Sequence, residues 1–309
     1  MATTKAKTKS RAKKPAATRS TKAASTKAVV AKSTPVEKHK TLLSKVFGRK
    51  YDRSENILTI FKSPKIIGAV LAELIGSLIL AAVLISVGAF SSYFDAMLVG
   101  LVMLGLSVAI FAISGANINP IITIGLMVTR RIAPIRGVLY LIAQVCGAWL
   151  GMLIISAFVA FNPDLGVQLP VMAEVTLSSE GVIGTFWALA CLELLGAAII
   201  GFFFARALAY KRSAFTFGAL VAAGTYIAFT LGLYVTAGFM GLQEHAYIFN
   251  PAVAIMYQIL PTTGADFGDL MSKIGIAFST YILAPAIGAV VGFYLNDTAT
   301  AVADTPVTE

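Results

Sequence analysis

The chain has 309 residues, of which 57% are hydrophobic and 13% are charged, and its mean hydropathy is +0.81. A soluble domain carries about 25% charged residues, so the composition excludes an ordinary soluble protein and predicts an integral membrane protein. The sequence contains no recognisable catalytic triad, metal-ligand cluster or phosphate-binding loop. We therefore expect neither an enzyme nor a bound cofactor or metal.

Positive charge is concentrated in the first 53 residues. They hold 16 lysines and arginines against two acidic residues, a net charge of +14, whereas the remaining 256 residues have a net charge of −4. This polar composition predicts a basic, disordered tail over residues 1–53. Contact with anionic lipid headgroups suits such a tail, while nucleic-acid binding and an organellar transit peptide stay open.

Long apolar runs follow the tail. Six of them are long enough to cross a bilayer, and two shorter runs each begin with an Asn-Pro pair. The predicted spans cover residues 67–89, 96–113, a stretch from just after Arg136 to about residue 160, 184–208, 214–236 and 274–296, and the shorter runs cover 119–129 and 250–260. These elements predict a membrane domain over residues 54–297, with halves at 66–160 and 184–296, and a short C-terminal tail over 298–309.

The two Asn-Pro pairs are Asn119-Pro120 and Asn250-Pro251. Asparagine caps a helix N-terminus well, and proline at the next position loses no hydrogen bond, because that N–H would have no partner inside the helix. A run of about a dozen residues is too short to cross a bilayer, so each pair predicts a half-helix. Short segments paired in this way in two halves indicate a pore or binding site at the membrane midplane.

The two halves repeat one another. Glu73 lies 46 residues before Asn119, and Glu193 lies 57 residues before Asn250. The second separation is 11 residues longer than the first, which is the length of an extra loop at residues 239–249. With three spans in each half, the second half must cross the membrane in the opposite sense to the first, which is an inverted repeat.

Lysine and arginine predict the orientation. The basic tail and the loops at residues 130–136 and 206–212 fall on one side of the membrane, and the other side is acidic apart from Lys273. The positive-inside rule places both termini in the cytoplasm. We expect a multi-pass protein of the plasma or inner membrane.

Six motifs occur in order along the spans. They are Ala72-Glu73-Leu74-Ile75-Gly76, Ser114-Gly115-Ala116-Asn117-Ile118-Asn119-Pro120, Gln144 with Gly147-Ala148, Glu193-Leu194-Leu195-Gly196, Asn250-Pro251-Ala252, and Pro285-Ala286-Ile287-Gly288-Ala289. With these motifs the chain resembles the major intrinsic protein family, the aquaporins and glycerol facilitators, over residues 66–296. The resemblance implies an all-α membrane protein with six transmembrane helices and two re-entrant half-helices in an inverted repeat. It also implies a homotetramer that passively conducts water and/or small uncharged solutes such as glycerol.

The resemblance further implies which residues form the pore. The midplane would consist of Asn119, Pro120, Ile121, Asn250, Pro251 and Ala252, and the outer constriction of Val99, Thr225, Tyr247 and Val253. Two positions depart from the family pattern. Ile121 replaces the usual alanine, which we expect to narrow the junction or change how the half-helices meet. Val253 replaces the usual arginine, which predicts a wider and more apolar constriction that favours glycerol-like solutes over water.

Glu73 and Glu193 are carboxylates inside predicted spans, and such residues are functional-site hypotheses by default. A proton-coupled secondary transporter with inverted repeats could use both as proton carriers, and we keep this as the alternative function. The family resemblance favours a structural role instead. In that role each carboxylate accepts hydrogen bonds from the irregular backbone that leads to a half-helix, because lipid cannot satisfy those donors.

Overall fold

The computed structural model describes residues 42–50, 63–87, 92–162, 184–210, 212–238, 247–258 and 266–304. The tail over residues 1–41, the loop at 163–183, most of the predicted extra loop and the last five residues lie outside this part of the chain. Its helices are α1 Leu42–Phe47, α2 Pro64–Val87, α3 Tyr93–Ser114, α4 Pro120–Val128, α5 Pro134–Phe161, α6 Thr185–Ala207, α7 Ala214–Gly238, α8 Pro251–Gln258, α9 Phe267–Phe278 and α10 Ala284–Ala303.

Six stretches of the described residues are long and apolar enough to cross a membrane. Five of them correspond to α2, α3, α5, α6 and α7, and the sixth, Leu270–Ala303, combines most of α9 with α10. The prediction of an all-α protein with six membrane-spanning helices is confirmed. The two Asn-Pro pairs begin the short helices α4 and α8, which contain nine and eight residues.

The packing of the helices follows the inverted repeat. In the first half α2 packs most extensively on α5, and in the second half α6 packs most extensively on α10. The halves meet mainly where α3 contacts α7. Each short helix also crosses into the other half, because α4 packs on α10 and α8 packs on α5. Both short helices are therefore fixed by both halves of the chain.

Glycines allow the closest helix pairs to approach. A methyl group built on Gly147 or Gly151 of α5 would overlap a backbone carbonyl oxygen of α2. One built on Gly288 or Gly292 of α10 would overlap the carbonyl oxygen of Leu194 or Ala198 in α6. Small residues four positions apart are typical of helices that pack tightly inside membranes. The same spacing in both halves places the two helix pairs in equivalent positions.

Large apolar side chains cover the outer surface of the bundle, as expected for a surface in contact with lipid. Aromatic residues are exposed at the start of α3, where Tyr93 and Phe94 lie, and at the ends of α5 and α7, where Phe161 and Tyr234 lie. Successive crossings place these helix ends on one side of the membrane. Aromatic side chains are enriched at membrane–water interfaces, so they mark one such boundary.

The structure differs from the sequence analysis at the ends of the membrane domain. Helix α1 lies inside residues 1–53, which the sequence assigns to a disordered tail, and α10 continues to Ala303 beyond the predicted boundary at residue 297. Near these ends, Asp297 of α10 forms ion pairs with Arg49, two residues after α1, and with Arg131. These ion pairs connect residues far apart in sequence, and composition alone does not reveal them.

The sixth span contains a π-helical turn at Ser279–Leu283, where the N–H of Ala284 donates to the carbonyl oxygen of Ser279. Pro285 follows directly and has no N–H to donate to the carbonyl oxygen of Tyr281. The wider turn accommodates that missing donor, since sharp irregularities in helices arise at prolines and π-bulges.

We predict that Gly288→Ala destabilises the protein, because the new methyl group cannot avoid the Leu194 carbonyl oxygen without moving α10 away from α6. Gly105→Ala is the matched control, since a methyl group there meets no atom within 4 Å. Thermal unfolding in detergent should show a lower midpoint for Gly288→Ala and an unchanged or higher one for Gly105→Ala. Equal midpoints for both variants would contradict the close packing of α6 on α10.

Candidate pore

The backbone just before each Asn-Pro pair has an unusual conformation that recurs in both halves. Ile118 has φ of 60° and Phe249 has φ of 50°, and each is the residue immediately before the asparagine. Positive φ is rare for bulky side chains and costs of order 1–3 kcal/mol. The surrounding structure must therefore hold both residues in place.

Buried carboxylates bind the backbone at these two points. Glu73 accepts hydrogen bonds from the N–H groups of Asn117 and Ile118, at 3.0 and 2.6 Å. Neither oxygen of Glu73 reaches solvent, because the residue has 0% exposure. The two N–H groups lie outside any helix and would otherwise have no acceptor in an apolar interior.

The second half repeats this arrangement. Glu193, also with 0% exposure, accepts from the N–H of Ile248 at 2.6 Å and from the N–H of Phe249 at 3.0 Å. Glu73 and Glu193 thus contact equivalent residues, one and two positions before the asparagine. The structural role of these carboxylates stays a prediction that their variants test.

The two carboxylates differ in their third partner. Gln144 of α5 donates from Nε2 to Glu73 at 2.8 Å and to the hydroxyl of Thr123 at 2.8 Å. Gln144 lies three residues before Gly147, and the residue three before Gly288 in the second half is Pro285. Proline has no side-chain donor, so no equivalent of this amide contact can form from that position.

The asparagines cap the short helices and link them. Asn119 Oδ1 accepts from the N–H of Ile121 at 3.1 Å, and Asn250 Oδ1 accepts from the N–H of Ala252 at 3.0 Å. Asn119 Nδ2 donates to the carbonyl oxygen of Phe249 at 2.7 Å. This bond joins the two halves directly at the point where α4 and α8 begin.

A narrow cavity lies between the two helix N-termini. Its volume is about 20 Å³, which is room for about one water molecule. The polar side chains in its wall are Asn119, Asn250 and Thr225, and the apolar ones are Leu80, Leu84, Val99, Met103, Ile122, Ile200, Val221, Phe229 and Ile248. A molecule inside would meet hydrogen-bonding groups at a few points and apolar walls elsewhere.

Comparisons with known proteins identify the family and a solved structure with a similar fold. The family described as Major intrinsic protein matches residues 60–296. The chain belongs to the major intrinsic protein family. The X-ray structure of the aquaglyceroporin from Plasmodium falciparum has a similar fold, with a TM-score of 0.52 and 17% identity over 75% of this chain and 94% of that chain.

Curated relatives match over shorter stretches. Aquaporin-1 from Ovis aries is 35% identical over 97 residues, which are 28% of this chain and 36% of the relative. Probable aquaporin PIP2-5 from Arabidopsis thaliana is 44% identical over 46 residues, 15% of this chain and 16% of the relative. The chain therefore matches about a third or less of the length of these two relatives.

The structure locates the positions at which this chain departs from the family pattern. Ile121 is buried in the first turn of α4, and Val253 is buried in the first turn of α8. Val99 and Thr225 line the cavity beside the asparagines. The Thr225 hydroxyl donates to the carbonyl oxygen of Val221 at 2.9 Å, so its hydrogen is already engaged within α7.

Tyr247 belongs to an aromatic cluster with Phe229 and Phe249. The ring centroid of Phe229 lies 5.8 Å from that of Tyr247 and 5.2 Å from that of Phe249. Phe229 also lines the cavity, although it was not predicted from the sequence. One signal was present, because Phe229 lies four residues after Thr225 and therefore on the same face of α7.

We predict that Glu73→Gln lowers the yield and the thermal midpoint of the protein in detergent. The amide replaces one acceptor oxygen with a donor, and each buried N–H left without a partner costs about 1–3 kcal/mol. Asp304→Asn is the control, because that carboxylate is exposed at the end of α10. Wild-type proton-coupled uptake that Glu73→Gln abolishes in well-folded protein would contradict a structural role.

Proposed function

We propose that the protein is a passive channel for water and small uncharged solutes, glycerol among them. The observation that carries this proposal is the meeting of two capped helix N-termini, at Asn119 and Asn250, beside a narrow cavity with mostly apolar walls. Amide groups fixed by capping offer hydrogen bonds along one line of the wall. The apolar remainder lets a bound molecule leave again, which conduction requires.

The short helices also provide a barrier to cations. Each helix N-terminus carries the equivalent of about half a positive charge, and two of them face the same cavity. No acidic side chain lines that cavity among the described residues. A cation or proton would therefore meet a positive potential without a compensating carboxylate, whereas a neutral solute would not.

The side chain at position 253 affects the selectivity of the proposed channel between water and glycerol. An arginine at that position would supply a fixed charge and several donors, and valine supplies neither. Water loses hydrogen bonds against an apolar wall, whereas a solute with CH groups offsets that loss by apolar contact. We propose that glycerol permeates measurably and that water is conducted less efficiently than with arginine present.

The alternative function, proton-coupled transport through Glu73 and Glu193, has less support. A proton carrier must exchange protons with water or substrate, and both carboxylates have 0% exposure. Their oxygens accept backbone hydrogen bonds that hold Ile118 and Phe249 in place. Protonation would remove acceptors from a backbone that depends on them, which opposes a role in turnover.

We also propose the setting in which the channel works. Both termini are cytoplasmic in the plasma or inner membrane, because the loops at 130–136 and 206–212 are basic. The chain assembles as a homotetramer, as its family resemblance implies. The basic tail contacts anionic lipid, and nucleic acid is its less favoured partner.

Stopped-flow swelling of proteoliposomes with water, glycerol and urea in turn tests the function. Wild-type protein should speed both water and glycerol flux above protein-free vesicles. Val253→Arg should reduce glycerol flux relative to water, because it narrows the constriction and adds donors. Val302→Arg is the control, because it adds the same charge at an exposed site on α10. It should leave the ratio of glycerol flux to water flux unchanged. Rapid water flux with complete exclusion of glycerol by the wild type would contradict this proposal.

A variant at Phe229 tests whether the cavity beside the asparagines limits solute passage. Phe229→Leu shortens an aromatic side chain that lines the cavity, so glycerol flux should rise relative to water flux. Phe215→Leu is the matched control on the same helix, since Phe215 is 68% exposed. An unchanged ratio in folded Phe229→Leu would show that the cavity at the asparagines does not limit solute passage.

A further inference from the structure

A second and larger cavity opens at the end of the bundle where α1 packs on α10. Its volume is about 990 Å³, and we call it the basic vestibule. Residues of α1 and the segment after it, the turn between α4 and α5, the end of α6 and the end of α10 all line it. It also reaches Asn117, two residues before the capping asparagine of α4.

The vestibule has a positive lining. Among the described residues in its wall, five are basic and two are acidic, a formal charge of +3; the basic residues are Lys45, Arg49, Arg130, Arg131 and Arg206, and the acidic ones are Asp297 and Asp304. Four separate parts of the chain contribute these charges. A cleft with walls of low dielectric concentrates the field of one sign of charge and attracts counter-ions.

Asp297 neutralises only part of this charge. The carboxylate forms ion pairs with both Arg49 and Arg131, so two guanidinium groups share one negative charge. Burial and the nearby charge of Arg49 lower the pKa of Arg131, while Asp297 opposes that shift. The Arg49–Arg131 pair thus retains one uncompensated positive charge in a partly desolvated place.

Two buried donors in the vestibule wall have no partner within the described part of the chain. They are Nε of Arg131 and Nδ2 of Asn117, and Asn117 is only 2% exposed. A buried donor without an acceptor costs about as much as a lost hydrogen bond. Both residues belong to the lining of the same cavity, so one charged and one neutral donor without a partner among the described residues lie in the same wall.

We infer that the basic vestibule binds a phosphate-bearing anion. Phosphate oxygens are strong acceptors, and guanidinium groups bind them with two parallel hydrogen bonds. The anion contributes the negative charge that the lining lacks and acceptors for the unpaired donors. A free phosphate compound and the headgroup of a membrane lipid share this chemistry.

Isothermal titration calorimetry of the full chain in detergent with inorganic phosphate, at constant ionic strength in chloride, tests the site. We expect saturable binding at one site per chain. Arg206→Gln and Asn117→Ala should each weaken binding about tenfold, the effect of losing one good hydrogen bond to an anion. Asn117→Ala leaves the charge unchanged, so it separates a built site from general attraction.

Lys65→Gln is the matched control, because Lys65 is exposed on α2 and does not line the vestibule. It should leave the affinity for phosphate unchanged. Absence of saturable binding, or equal weakening by Lys65→Gln and Arg206→Gln, would overturn the proposal. Thermal unfolding without phosphate identifies misfolded variants, and Lys45→Gln replaces Arg206→Gln if that variant does not fold.

Two membranes distinguish the sources of the phosphate group. The titration is repeated in nanodiscs of phosphatidylcholine alone and with added phosphatidic acid. Weaker phosphate binding with phosphatidic acid indicates that a lipid headgroup occupies the site, and unchanged binding indicates a free anion. If the protein is the channel proposed above, an occupied vestibule should also slow water flux. The titration itself measures no flux, so this inference and the proposed function fail independently.

Discussion

Each buried carboxylate accepts hydrogen bonds from the backbone just before an Asn-Pro pair, and we propose that the pore geometry depends on that contact. Glu73 holds the N–H groups of Asn117 and Ile118, and Glu193 holds those of Ile248 and Phe249. Without an acceptor, irregular backbone deep in a bundle would carry unsatisfied donors that lipid cannot pair. In this proposal the carboxylates stabilise the two residues with positive φ, Ile118 and Phe249, each of which turns the chain toward a short helix.

Two of the three polar side chains that line the small cavity are the asparagines that cap the short helices. Asn119 and Asn250 cap their helices beside the same small cavity. The cap uses each asparagine's oxygen, and Nδ2 of Asn119 also binds the carbonyl oxygen of Phe249. The glycine-mediated contacts of α2 with α5 and of α6 with α10 hold the carboxylate-bearing helices in equivalent positions.

Sequence could predict the features that repeat locally, such as the six spans and the Asn-Pro helix starts, because hydropathy and capping depend on neighbouring residues. It could not predict α1 as an ordered element, since the Arg49–Asp297 ion pair joins residues 248 positions apart. Phe229 was not predicted, because its position in the cavity wall depends on how α7 packs. The π-helical turn was not predicted either, because a helix can accommodate a proline such as Pro285 by more than one local backbone geometry. The carboxylate contacts were anticipated only through family resemblance.

We propose that the two helix termini pass neutral molecules and exclude charge. The most direct measurement records water flux and proton flux together, in proteoliposomes that contain a pH-sensitive dye and carry an imposed membrane potential. We expect water permeability above that of protein-free vesicles, with proton flux no greater than theirs. Proton flux that rises with the amount of protein and follows the imposed potential would contradict it.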